Sequence, residues 1–98
     1  MFDKMKALMD MKSKMAQMKR ELEDAVFEVS SSDGLIKVTM NGAQQAKEFK
    51  INGDLAETDK AGLEQAIKDA CNRAIKRSQE VAAEKMKQIT GLNLPGMF

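Results

Sequence analysis

Residues 26–51 read VFEVSSSDGLIKVTMNGAQQAKEFKI, and this stretch decides the fold of the chain. Three short runs in it alternate apolar and polar residues, and two turn signals, Asp33-Gly34 and Asn41-Gly42, separate the runs. Alternation is the period of a strand with one buried face, and Asp-Gly and Asn-Gly are typical of tight hairpins. The stretch therefore predicts a three-stranded antiparallel meander.

The first turn predicts how the first two strands pair. If Asp33-Gly34 is a two-residue turn, Val29 faces Val38 and Phe27 faces Met40. Apolar residues then meet apolar residues, so the turn and the apolar pattern agree on one register.

The second turn leaves the register of the third strand open. A two-residue loop at Asn41-Gly42 places Ile36 opposite Lys47, whereas a four-residue loop places it opposite Phe49. Both loops turn the same apolar side chains inward, because side chains alternate between the two faces of a sheet. That predicted inner face comprises Phe27, Val29, Ile36, Val38, Met40, Phe49 and Ile51.

Long helices are predicted on both sides of the meander. Residues 3–24 contain no Gly or Pro, and apolar residues recur there at alternating spacings of three and four, which indicates a heptad-like helix. Thr58 or Asp59 can cap a second helix, which we expect to end near Thr90 because Gly91 supplies a stop. The heptad-like residues of the first helix are Leu8, Met11, Met15, Met18 and Leu22.

The sequence thus predicts one α+β domain over residues 1–98 with the element order α-β-β-β-α. Its parts are a helical arm (1–25), the β-meander (26–52), a long helix (58–90) and an apolar tail (91–98) that we expect to dock. Six-residue strands span only ~20 Å, whereas the two helices would be ~33 and ~48 Å long. The helices must project beyond the sheet, and a homodimer is the simplest way to cover their apolar side chains.

Composition argues against an enzyme. The chain has no His, which removes the commonest general base and zinc ligand, so we predict no catalytic residue, metal, cofactor or small-molecule substrate. Its single cysteine, Cys71, excludes an intramolecular disulfide and is interpreted as a small buried hydrophobe rather than a reactive thiol. No run approaches ~18 apolar residues, so a soluble, cytoplasmic chain without a membrane partner is predicted.

Basic residues concentrate on the two helices, although the chain carries 16 Lys+Arg against 15 Asp+Glu. Such a concentration is a candidate phosphate-binding surface. The alternative is an ordinary solvated face, because oppositely charged residues four apart can pair along a helix. Those pairs are Lys6-Asp10, Asp10-Lys14, Lys19-Glu23, Arg20-Asp24, Asp69-Arg73 and Lys76-Glu80.

Arg77 differs from the other basic residues because it lies on the predicted apolar line of the second helix, between Ala74 and Val81. It has no acidic residue four positions away on either side. Two interpretations remain: the side chain snorkels beside a partner helix, or it is exposed where the arm leaves the body. The second interpretation suits contact with phosphate.

Methionines crowd the first helix, at positions 1, 5, 9, 11, 15 and 18. Their placement indicates an interface or core seam, and flexible thioether side chains also suit an adaptable groove. Two function classes follow: a DNA-binding protein, or a protein-interaction scaffold whose Met-rich arms clamp a partner polypeptide. Because the chain has no Tyr or Trp to stack on bases, duplex DNA held by its backbone is favoured over single strands.

Certain segments also recur in a known family. They read MKALMDMKSKMAQMKRELE, GLIKVTMNGAQQAKEFKIN, DLAETDKAGLEQAIKDACNRAIKRSQE and GLNLPG, with LIKVTMNG the most distinctive. In order and spacing they resemble the YbaB/EbfC family of bacterial nucleoid-associated proteins. The resemblance implies a tweezer-like homodimer that binds duplex DNA through its helical arms with low sequence specificity. It also implies a role in nucleoid organisation or gene regulation, at the nucleoid in the cytoplasm.

Carried over position by position, the resemblance implies DNA-binding residues on both helices. They are Lys12, Lys14, Lys19 and Arg20 in the first helix and Arg73, Lys76 and Arg77 in the second.

Overall fold

Two helices flank a three-stranded sheet in the computed structural model, which describes residues 2–54 and 59–91 of the protein. The elements are α1 (Phe2–Asp24), β1 (Val26–Ser30), β2 (Ile36–Asn41), β3 (Ala46–Ile51) and α2 (Lys60–Thr90). The α-β-β-β-α order and the antiparallel meander are therefore confirmed. Thr58 and the segment 92–98 of the predicted tail lie outside the described residues.

The first hairpin has the predicted register with a wider connection. Val29 lies opposite Val38, as the sequence indicates. The N–H of Ser31 donates to the carbonyl oxygen of Ile36 at 2.8 Å, which closes a loop longer than the two residues predicted. Gly34 takes a φ of 76° within this loop, a conformation that glycine adopts without steric cost.

Both registers predicted for β2 and β3 are wrong. Ile36 lies opposite Ile51, two residues beyond the wider alternative, and a bulge interrupts the pairing next to the connecting loop. The cause is Asn41, whose Oδ1 accepts the N–H groups of Ala43 and Gln45, each at 3.0 Å, and so holds a broad loop instead of a tight Asn-Gly turn. The shift is by an even number of residues, so the predicted inner face is right.

α2 packs across β2 and β1, where a line of small residues lets the helix approach the sheet closely. The buried core comprises Ile36, Val38 and Met40 from the sheet and Ala66, Ala70 and Ala74 from α2. β3 lies beyond this cover, and the side chains of Phe49 and Ile51 on the inner face stay 46% and 42% exposed. The prediction that Phe49 is a core residue is therefore wrong for this chain.

α2 begins and ends where the sequence indicates. Asp59 is its N-cap, and the side chain accepts the N–H of Gly62 at 2.7 Å. Gly91 is its C-cap in the left-handed conformation, and its N–H donates to the carbonyl oxygen of Lys87. These caps satisfy backbone groups that the helix itself leaves without partners.

α1 and the second half of α2 form an antiparallel pair, which we call the arm. At its base Leu22 and Val81 both approach Gly42, and farther out Ala7 and Thr90 line one groove. The molecule measures 67 × 22 × 16 Å and its radius of gyration is 18.1 Å, whereas a compact domain of this size has about 13 Å. The helices thus project beyond the sheet, as their lengths predict.

The arm buries part of the apolar stripe of α1 within one chain. Met18 and Val81 are buried, contrary to the expectation that one protomer leaves them uncovered, because α2 lies alongside α1. Met11 and Met15 are each 63% exposed. In the part of the chain that the structure describes, no helix is both long and apolar enough to cross a membrane.

Candidate nucleic-acid interface

The predicted basic residues of α1 are all exposed, but they do not share one face. Lys12 and Lys19 are seven residues apart, two helical turns, and therefore lie on the same flank. Arg20 follows Lys19 and so points about 100° further around the helix. Lys14 lines the groove between α1 and the end of α2. Of the four residues, the structure brings together Lys12 and Lys19.

The three predicted basic residues of α2 do form a cluster, which we call the α2 basic patch. Arg73, Lys76 and Arg77 are spaced by three and four residues and are exposed neighbours on one side of the helix. Arg73 Nε lies 3.0 Å from Asp69 Oδ1, and Arg77 Nη1 lies 3.4 Å from Glu80 Oε2. Two carboxylates therefore flank the patch, one at each end.

The buried line of α2 passes through Ser78 rather than Arg77. From Ala74 the line continues four residues on to Ser78 and then to Val81, all of them buried. The placement of Arg77 on the apolar line is therefore wrong, and of its two interpretations the exposed one is right. Its partner Glu80 is three residues away, a spacing that the search for partners four residues away does not include.

One of the predicted charge pairs is closed in the structure. Asp69 and Arg73 pair, whereas within residues 2–54 and 59–91 no carboxylate oxygen lies within 4.0 Å of the other basic residues of the candidate set apart from Arg77. Those basic residues are Lys12, Lys14, Lys19, Arg20 and Lys76. The solvated-face interpretation relied on such pairs, so their absence favours side chains that are available to an anionic partner.

Asn41, Gly42 and Ser78 join the arm to the sheet, and we call them the arm node. Asn41 is fully buried; its Nδ2 donates to the carbonyl oxygen of Glu23 at 3.0 Å, and its own carbonyl oxygen accepts Ser78 Oγ at 2.9 Å. Sequence reasoning assigned Asn41 and Gly42 to a simple turn. The available signal was Ser78, a hydroxyl four residues after Ala74 in a line of alanines.

Charge is distributed unevenly along the molecule. Residues 73–90 of α2 carry five basic and two acidic side chains. At the other end of α2, Asp33 lies beside Asp59 across one surface depression and beside Asp69 across another. The net charge of +1 is thus an average over a basic arm and an acidic end.

Hydrogen bonds hold the pKa of two carboxylates at the acidic end below their ordinary values. Ser31 Oγ donates to Asp33 Oδ1 at 2.6 Å and the N–H of Leu35 donates at 3.0 Å, which lowers the pKa of Asp33. The N–H of Ser32 at 2.7 Å, and then Arg73, lower the pKa of Asp69. A lowered pKa stabilises the fold above the ordinary value, and this contribution is lost as pH falls through the lowered pKa.

Replacing Ser31 with alanine is expected to raise the pKa of Asp33 toward its ordinary value, because the shortest hydrogen bond to the carboxylate disappears. The pKa of Asp69 is the internal control, since its donors are Ser32 and Arg73. Carboxyl NMR titration between about pH 2 and pH 6 measures both. An unchanged pKa of Asp33 would contradict the assigned cause.

Comparisons with known proteins agree with this architecture. Residues 1–93 match the model of the YbaB/EbfC DNA-binding family. A nucleoid-associated protein of Clostridium novyi is 36% identical over 96 residues, covering 96% of this chain and 84% of that protein. A nucleoid-associated protein of Dictyoglomus turgidum is 36% identical over 100 residues, covering 99% of this chain and 96% of that protein.

The fold is also similar to a solved structure. The crystal structure of uncharacterized protein HP0035 from Helicobacter pylori has a TM-score of 0.69 to this chain at 26% identity, covering 82% of this chain and 86% of that one. The family match spans both helices and the sheet, the elements that carry or position every candidate residue.

Proposed function

Because the chain belongs to the YbaB/EbfC DNA-binding family, we propose that it binds duplex DNA as a homodimer, mainly through phosphate contacts and with low sequence specificity. Its role is in nucleoid organisation or gene regulation, at the nucleoid in the cytoplasm, without catalysis. The observation that carries the proposal is the exposed α2 basic patch, Arg73, Lys76 and Arg77, on an arm that projects from the sheet.

Phosphate oxygens are the natural partners of this patch. Lysine acts as a compact point charge and arginine as a planar fork, and both neutralise phosphates with release of counterions. The exposed pairs of Arg73 with Asp69 and of Arg77 with Glu80 are no obstacle, because surface ion pairs contribute only about 0–1 kcal/mol. Phosphate contacts position a protein on DNA without reading sequence, which is the reason for low specificity.

A second copy of the chain would cover the inner face of β3. Phe49 and Ile51 lie on the same face as the buried side chains of β2, yet α2 leaves them exposed. β3 is also an edge strand, and edge strands present backbone groups for pairing with another chain. Dimerisation at this face would join two bodies and leave their arms free to hold one duplex between them.

Fluorescence anisotropy of a labelled duplex tests the proposal. We expect saturable binding by two protomers per site, with log affinity falling against log salt by about 0.9 for each phosphate neutralised. Duplexes of unrelated sequence should give similar affinities, since few base edges are read. Binding without salt dependence, or restricted to one sequence, would contradict the phosphate mechanism.

The alternative function, a scaffold that clamps a partner polypeptide, is favoured by one observation: five large apolar residues of α1 are 63–69% exposed. They are Met5, Leu8, Met9, Met11 and Met15. The same titration separates the two functions, because a polypeptide clamp with near-neutral net charge has no reason to bind duplexes in a salt-dependent way.

A further inference from the structure

An uncovered apolar groove of about 410 Å³ lies between α1 and the end of α2. Its lining includes Ala7, Met11, Met15 and Met18 from α1 and Thr90 from α2. Met18 is buried, whereas Met11 and Met15 are each 63% exposed. The apolar stripe of α1 is therefore covered by α2 toward the sheet and left open toward the tip of the arm.

The chain leaves α2 at this same groove. Thr90, which lines it, is the last residue of the helix, and Gly91 takes a φ of 73°, which carries the backbone out of the helical path. The next residues, 92–98, read LNLPGMF and contain no charged side chain. Leu92, Leu94, Met97 and Phe98 supply large apolar side chains to a segment that begins one residue after Gly91's turn.

We propose that residues 92–98 lie in this groove of their own chain, as a strap that covers Met11 and Met15 and holds α1 against α2. The lengths agree: Ala7 to Met18 spans ~16 Å of helix at 1.5 Å per residue, and seven extended residues reach ~23 Å. The chemistry agrees as well, because an uncharged apolar segment removes thioether surface from water. The inference stands independently of DNA binding.

Disulfide trapping in the full chain tests the strap. In a Cys71→Ser background, Met15→Cys combined with Leu94→Cys is expected to close an intramolecular disulfide in a glutathione redox buffer. The matched control combines Met9→Cys with Leu94→Cys, because Met9 is exposed on the same helix and does not line the groove. Cysteines can bridge only when their Cα atoms are within about 7 Å, so we expect the first pair to close at least about tenfold faster.

Two trapping results would overturn the strap. Equal rates for the two pairs would mean that the segment has no preference for the groove. Disulfides formed only between chains would mean that a second copy occupies it.

Methionine methyl NMR provides a measurement that needs no cross-link. In the full chain carrying Leu94→Ser and Phe98→Ser, the methyl resonances of Met11 and Met15 are expected to shift, since both side chains lose apolar contacts. Those of Met5 and Met9 serve as controls because neither residue lines the groove. Unchanged resonances of Met11 and Met15 would overturn the proposal.

Discussion

Exchanging Lys76 and Arg77 for glutamate is expected to lower the affinity for duplex DNA by about a hundredfold near 0.1 M salt. Each lost phosphate contact removes about 0.9 from the slope of log affinity against log salt, so two contacts account for about sixtyfold, and repulsion between carboxylates and phosphates adds to this. Both side chains are exposed, so the fold should persist. Anisotropy with a labelled duplex measures the affinity, and circular dichroism checks the helix content.

The matched control places the same charge change elsewhere on the same helix. Lys60 and Lys68 are exposed in the half of α2 that lies toward the acidic end, outside the α2 basic patch. The variant Lys60→Glu with Lys68→Glu should retain affinity within about threefold, because close phosphate contacts dominate over net charge at this salt concentration. Equal losses in the two variants would show that binding follows net charge rather than the position of the patch.

Replacing Asn41 with alanine is expected to lower the free energy of unfolding by about 2–4 kcal/mol, since several buried hydrogen bonds lose one partner together. The side chain bonds the carbonyl oxygen of Glu23, the side chain of Gln45, and the N–H groups of Ala43 and Gln45. No other residue of the described chain connects α1, the loop after β2 and, through its carbonyl oxygen, α2 in this way. Urea unfolding followed at 222 nm measures the change.

Asn72 provides the comparison for this substitution. It is exposed on α2, and Asn72→Ala should change stability by no more than about 0.5 kcal/mol. If Asn41→Ala falls within the same range, water replaces the lost hydrogen bonds and the arm node does not stabilise the fold.

The strands and their faces could be predicted because they depend on local patterns. Side chains alternate along a strand, so the inner face is the same for every register shifted by an even number of residues, including the actual pairing of Ile36 with Ile51. The register itself depends on how Asn41 bonds to Ala43 and Gln45, a three-dimensional arrangement that the Asn-Gly signal does not contain. The exposure of Phe49 similarly depends on where α2 crosses the sheet.

The candidate site was predictable in part for the same reason. Helical spacing predicts that Arg73, Lys76 and Arg77 are neighbours, and the structure shows them together on one exposed side. Which charge pairs close is not fixed by spacing, because an exposed pair gains little energy against the entropy of two long side chains. Spacings of three and four are both compatible with a 3.6-residue turn, so the pattern could not place Ser78 rather than Arg77 on the buried line.

The arm node also determines how the arm can move. α2 runs without Gly or Pro from Leu63 to Thr90, so the body and the arm share one stiff rod. From Ser78 to Thr90 the rod extends ~18 Å beyond its attachment, and a rotation of ten degrees there displaces the tip by only ~3 Å. In a dimer the gap between two such levers is therefore set by packing at the fulcrum, and duplexes of different width are accommodated by small adjustments around Asn41.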